Sequence, residues 1–172
     1  MHGLPEVDIW SGRVPILSRP TWCAVTEGKE GYVKVRLRAP DGMVETPWAE
    51  ALGSNRFRLD NIPILAYGVS TDDIIVAEPE EDGVLGFKQV EVPSGNRTLR
   101  LVFEEKVTKE EPMLQRLTAM GVGWEGLHAK MFALSVPPEI DLDEVVRMLG
   151  QSGLLWEYAN PTWDDLHAQG KV

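Results

Sequence analysis

From Tyr32 onward apolar and polar residues alternate. Tyr32, Val33, Val35 and Leu37 interleave with Lys34, Arg36 and Arg38, the period of two expected of a strand with one buried face. Pro40-Asp41-Gly42 supplies turn chemistry, and a second strand is expected over 44–52 around Trp48, closed by Gly53-Ser54-Asn55. Arg56-Phe57-Arg58-Leu59 alternates again and runs into Asp60-Asn61-Ile62-Pro63. A short extended piece over 64–69 precedes a buried strand over 73–77. The turn Pro79-Glu80-Glu81-Asp82-Gly83 then leads to a partner strand over 84–92. Five or six short strands at this spacing predict a small, strongly curved sheet or barrel.

Beyond Pro93-Ser94-Gly95-Asn96 the pattern changes. Leu99, Leu101 and Phe103 mark one face of a strand over 98–103. Thr108 stands three residues before Glu111, a capping box for a helix through Met113, Leu114, Leu117 and Met120 that stops at Gly121. Two strands over 122–127 and 130–136 flank a His128-Ala129 turn. Asp141 and Glu144 cap a helical stripe of Leu142, Val145, Val146 and Leu149, ended by Gly150 and Gly153, and a last strand is expected over 154–158. The order β-α-β-β-α-β is the split βαβ arrangement of ferredoxin-like domains. The predicted fold class is therefore α+β: an arm over 1–30, a small N-terminal β-barrel over 31–96, a ferredoxin-like domain over 97–160 and a tail over 161–172. Each module is marginal alone at that size, so a shared interface is expected. The arm has no sustained period, yet Ile9, Trp10, Val14, Ile16, Leu17 and Trp22 carry too much apolar surface for a free tail. Part of it is expected to pack on the body or on a partner.

The composition, 43% apolar and 26% charged over 172 residues, is that of a globular chain. Its 17 basic and 27 acidic side chains give a formal charge of −10, unevenly spread: residues 1–38 are net positive and the remainder strongly negative. Phosphate neutralisation needs Lys and Arg, so nucleic acid is a poor partner and a basic protein a better one. Apolar runs fall far short of the roughly 18 residues of a membrane span, and no basic-then-apolar leader opens the chain. The single Cys23 suits a reducing compartment. A cytoplasmic protein, with no membrane partner, is expected.

At Asp60-Asn61-Ile62-Pro63, Ala66-Tyr67-Gly68-Val69 and Asp72-Asp73-Ile74-Ile75 the chain resembles a bacterial family catalogued as domain of unknown function 4265. The likeness continues through Phe87-Lys88-Gln89-Val90 and Pro93-Ser94-Gly95-Asn96-Arg97-Thr98-Leu99-Arg100, with a weaker match over 121–126. It covers roughly residues 33–159 and leaves out the arm and the tail. The resemblance supports the fold and implies no activity. Some small acidic proteins of this general kind resemble immunity proteins of bacterial toxin systems.

Candidate chemistry is sparse. Three histidines, His2, His128 and His167, are scattered, and no nucleophile–base spacing recommends Cys23 or a serine. One cysteine and three dispersed histidines supply no local zinc site. Glu78-x-Glu80-x-Asp82-Gly83 approaches the calcium-loop pattern but fails at its first and twelfth positions, so it reads as a charged hairpin tip. No phosphate-cradling glycine motif occurs, and no catalytic residue, cofactor or metal is expected. Asp60 and Asn61 read first as caps at a strand corner, and second as a polar anchor in a pocket with Tyr67 and Arg97. Arg97 and Arg100 are read as sharing a strand face, able to clamp a carboxylate or to pair with local glutamates. Trp124, Glu125 and His128 could form a recognition edge, although Trp124, a single aromatic on a short strand, reads first as core. Trp156, Tyr158 and Trp163 read as partly core.

Three functions follow from these readings. The first is a non-enzymatic protein-binding domain, in the manner of an acidic immunity protein masking a basic toxin surface. The second is a small-molecule-sensing module, and the third an enzyme using dispersed carboxylates with Asp60 as base. Oligomeric state is left open.

Overall fold

The computed structural model describes residues 9–12, as backbone, and 30–171. The expectations for Val14, Ile16, Leu17, Trp22 and Cys23 lie outside the described residues. The described chain is a mixed α+β protein built from a closed five-stranded β-barrel and a second sheet carrying helices.

The barrel comprises β2 (Tyr32–Arg38), β4 (Trp48–Gly53), β5 (Arg56–Leu59), β6 (Ile74–Pro79) and β7 (Leu85–Val92), with the two-residue β3 (Val44–Glu45) hung on β2. Neighbours are antiparallel except at the seam, where β2 runs parallel to β7 through Val35↔Leu85 and Arg36↔Gly86. The period of two aims Val35, Leu37, Ala49, Phe57, Leu59, Ile75 and Ala77 inward, filling the barrel with side chains. Arg36 and Arg38 on the outer face reach across the seam. Arg36 pairs with Glu80 and Asp82, and Arg38 with Glu80 at 2.6 Å. The acidic β6–β7 tip is thus a staple on the barrel seam as well as a solvated turn, and these arginines hold the Glu80 and Asp82 carboxyls below their usual pKa range.

Two strand expectations in this half are corrected. The strand over 44–52 is split at Thr46-Pro47, because proline has no N–H for a ladder. Residues 64–69 form no strand: the N–H groups of Ile64, Leu65 and Ala66 all donate to the Glu45 carboxylate, at 2.9, 2.9 and 2.7 Å. One side chain does there what a neighbouring strand would have done.

The second sheet has the order β1-β9-β10-β8-β11, every pair antiparallel: β1 (Ile9–Gly12), β9 (Gly123–Leu127), β10 (Met131–Val136), β8 (Arg97–Val102) and β11 (Leu155–Asn160). Helices α1 (Pro112–Ala119) and α2 (Leu142–Ser152) bury Met113, Leu114, Leu117, Val145 and Leu149 with the sheet residues Leu99, Leu101, Trp124, Phe132 and Leu134. The opposite face carries Thr98, Arg100, Glu125, Ala133 and Ser135, and Ala133 packs with Ile62 and Ile64 of the 60–73 connection. The cap of α1 is corrected: Glu111, not Thr108, is the N-cap, its side chain accepting from Met113 N, with Pro112 at the first helical position. Thr108 instead accepts from Glu110 N at 3.3 Å and closes a turn. Asp141 caps α2 as the sequence suggests, and Gly153 ends it at φ +74°. The expected tail contains a further helix, α3 (Trp163–Ala168), opened by a reciprocal Thr162–Asp165 capping box.

Candidate functional site

Several of the residues singled out in the sequence fasten the molecule together. Asn61 Oδ1 accepts from Trp48 N at 2.8 Å, capping a strand corner, and its Nδ2 donates to Glu125 Oε2 at 3.0 Å, tying the barrel to the second sheet. Asp60 N donates to Trp48 O at 2.9 Å, and the Asp60 carbonyl accepts from Thr71 Oγ1 at 3.3 Å. Asp60, Asn61, Tyr67 and Arg97 do not assemble into one pocket. Arg97 and Arg100 are three residues apart on a strand, which puts them on opposite faces. Arg97 donates to the carbonyls of Pro137 at 2.9 Å and of Ile140 at the entrance to α2, whereas Arg100 points toward Tyr67.

The recognition edge of Trp124, Glu125 and His128 is also corrected. Trp124 is only 3% exposed, donates from Nε1 to Thr118 Oγ1 at 3.0 Å, and stands edge-on to Phe132. Glu125 is 1% exposed on the opposite face. The free side of β9 is taken by β1, through Gly12↔Trp124 and Ser11↔Glu125. His128 alone is exposed, at φ +55° in the turn beyond.

A second polar group lies at the junction of barrel and sheet. Ser70 Oγ and Thr98 Oγ1 are 2.7 Å apart, and Asn160 Nδ2 donates to Ser70 Oγ at 2.8 Å. The Asp73 carboxylate accepts from Ser70 N at 2.8 Å and Ser94 N at 2.6 Å. Burial pushes the Asp73 pKa up in spite of these donors. A raised carboxyl is a frequent mark of catalysis, but Ser70, Asp73 and Thr98 are all buried, so this group is a structural knot. Because the folded state holds the Asp73 proton more tightly than the unfolded one, its contribution to stability is full below the ordinary aspartate range. That contribution is lost as pH rises through the raised value. Asp73→Asn is expected to cost about 1–3 kcal/mol at the acid end, where the Asp73 contribution is full, and less near neutral pH, since one backbone N–H would face an amide donor. Urea unfolding across pH 3–8 checks this: the wild-type advantage over the variant should shrink as pH rises through that window.

The accessible site lies on the other edge of the second sheet. Trp156 and Tyr158 alternate with Glu157 along β11, and Trp163 opens α3 with two residues between it and the strand's end. Their rings run in sequence: Trp156 to Tyr158 at 5.3 Å and 72°, Tyr158 to Trp163 at 6.0 Å and 38°. With Tyr67, Pro40 and the carboxylates of Glu157 and Asp164 they line an open groove of about 580 Å³. Tyr67 Oη donates to Glu157 Oε1 at 3.0 Å, and Arg100 donates to the same oxygen at 2.8 Å and to Ala66 O at 2.7 Å. The Arg100 guanidinium lies 4.0 Å from the Tyr67 ring centre, a cation–π stack that props the ring against the groove wall. Arg100 is 3% exposed, so the groove presents aromatic faces and carboxylate oxygens and not this cation. Burial, then the nearby Asp143 charge, raises the Tyr158 phenol, which stays neutral.

The site is only half legible in the sequence. The Trp-Glu-Tyr alternation was there to be read, but its position on an outer strand, and the folding back of Trp163 onto it, depend on strand order. Among the described residues no group of three or more His, Cys, Asp or Glu is arranged to hold a metal, and no helix is long and apolar enough to cross a membrane.

Fold and site together define an α+β protein, a barrel joined to a helix-covered sheet with an aromatic, acid-rimmed groove at its edge. The chain belongs to the family described as Domain of unknown function (DUF4265), which matches residues 45–158. Among solved structures it is similar to a hypothetical protein from Neisseria gonorrhoeae, described as a novel crystal structure. The TM-score is 0.62 and the identity 16%, over 78% of this chain and 96% of that one. No curated protein matches it.

Proposed function

We propose that this chain is a non-enzymatic, cytoplasmic bacterial protein-binding domain that recognises a basic partner through the groove along β11. It would act in the manner of an acidic immunity protein covering a basic surface. The observation that carries this reading is the exposure of large apolar side chains beside carboxylates: Leu155 is 72% and Trp163 55% exposed, next to Glu157 and Asp164. Tryptophan at an accessible centre with a polar rim is the composition of a binding hot spot, and the net charge of −10 favours encounter with a positive surface. We read the helix-covered sheet as ferredoxin-like, on the strength of its β-α-β-β-α-β order and the sheet order β9-β10-β8-β11.

The test is affinity capture from native bacterial lysate with wild type and Trp163→Ala side by side, eluted in a salt series. Under this reading a stoichiometric basic protein is retained by the wild type, is released as salt screens the charges, and is held about 30-fold more weakly by the variant. Equal retention by both would sink it. A second reading, a small-molecule sensor, draws on the groove volume of about 580 Å³, which suits a compact ligand. It predicts a co-eluting small molecule and no protein.

A further inference from the structure

We propose that the partner docks on β11 as an added antiparallel or parallel strand, an extended segment with apolar residues flanking a basic one. This rests on the groove being the binding surface. Among the described residues β11 is the last strand of its sheet and pairs only with β8. The direction of its backbone groups follows from β8. Phe103 N, one residue beyond β8, donates to Lys130 O beside β10, so the odd-numbered residues of β8 turn their N–H and C=O toward β10 and the even-numbered ones toward β11. Arg100 and Val102 therefore bond to their partners Glu157 and Leu155, and the N–H and C=O of Trp156 and Tyr158 point away from the sheet. No backbone group among the described residues pairs with them there, in contrast to Ala159, whose carbonyl accepts from Gly68 N at 2.9 Å.

At the other end of the sheet β9 is covered by β1, the outermost strand there, and the barrel is closed by the β2–β7 pairing. Among the described residues no strand covers the β11 edge, and it is the one that the groove runs along. Unpaired strand edges are templates for added strands, with main-chain bonds giving affinity and alternate side-chain sites giving specificity. The alternation of β11 sets that specificity. Residues of an added strand opposite Trp156 and Tyr158 share their face and meet the rings of Trp156, Tyr158 and Trp163. The residue opposite Glu157 shares the face of that carboxylate and of Tyr67. Apolar–basic–apolar is the matching pattern. Charge decides against a second copy of the chain: two β11 edges side by side would bring Glu157 and Asp164 of both copies into one acidic seam.

A synthetic peptide of alternating valine and lysine, about ten residues long and so the length of an ordinary strand, is the probe for the full-length chain. Affinity is read by tryptophan fluorescence and the complex by amide exchange. Expected are binding, at least about tenfold slower exchange of the Trp156 and Tyr158 amides, and about tenfold weaker binding when peptide nitrogens are methylated at every second residue in one register but not in the other. Binding that depends on Trp163 but is indifferent to the register of methylation overturns strand addition and leaves the groove reading standing. Equal binding of a valine–glutamate peptide overturns the basic pattern. A concentration-dependent dimer that Leu155→Lys disperses overturns the choice of occupant. Absence of binding by the valine–lysine peptide, together with equal lysate capture by wild type and Trp163→Ala, overturns both the docking mode and the groove reading.

Discussion

Phe132→Ala is expected to lower the unfolding free energy by about 3–5 kcal/mol, the range for removing a fully buried phenylalanine. Phe132 is completely buried and stands edge-on to two rings, Phe103 at 5.6 Å and 84° and Trp124 at 5.7 Å and 74°. Across the ladder it faces Gly126, where a Cβ would come within 2.6 Å of the Phe132 ring. The glycine is therefore a packing residue: the ring lies where its neighbour's side chain would be. Gly126→Ala alone is expected to cost about 1–3 kcal/mol by overpacking. In the Phe132→Ala background the added methyl enters vacated space, so the double variant should be more stable than the sum of the two losses predicts. Urea unfolding of the four proteins measures the coupling, and strict additivity would contradict the close approach of ring and backbone.

Arg100→Met is expected to cost about 2–3 kcal/mol, because it strips a buried hydrogen-bonding group from partners that stay behind. The Ala66 carbonyl loses its 2.7 Å donor, Glu157 loses a charge-assisted bond, and the Tyr67 ring loses the cation stacked on it. The full penalty of a buried unpaired charge does not apply, since Glu157 is about half exposed and water can solvate it. Arg100→Lys should recover little, as one ammonium does not match two planar N–H contacts aimed at a carbonyl and a carboxylate. The measurement is the denaturant midpoint at unchanged slope, with the Tyr67 ring resonances as a local readout. Arg100→Lys with wild-type stability and an unmoved Tyr67 would contradict the fork geometry.

What could be read in the sequence was what repeats locally. The alternation of Tyr32–Arg38, the Leu99, Leu101 and Phe103 face, the His128-Ala129 turn and the Asp141 cap each depend on neighbours within a few residues, and each appears in the structure. The failures share a different cause. Residues 64–69 lost their strand to a carboxylate about twenty positions away, Glu45. Arg36 and Arg38 found Glu80 and Asp82 more than forty positions away, across a seam that only the closed barrel creates. Glu125, in a short polar-looking strand, was buried by pairing with Asn61 and by β1 covering its edge. Arg97 and Arg100 are a different case: their three-residue spacing alone puts them on opposite faces of a strand. The groove also depends on long-range pairing. Trp156 and Tyr158 are partly core, as the sequence suggests, and the strand order sets them, with the exposed Trp163, on an outer strand beside Glu157 and Asp164.

The most direct test of that placement is a nitrogen–proton spectrum of the full chain titrated with the valine–lysine peptide. The account predicts movement of the Trp156 and Trp163 indole signals and of the 155–158 amides, with the buried Trp124 indole and the barrel's Trp48 indole unmoved. Shifts centred on His128 and β9, with β11 silent, would contradict it.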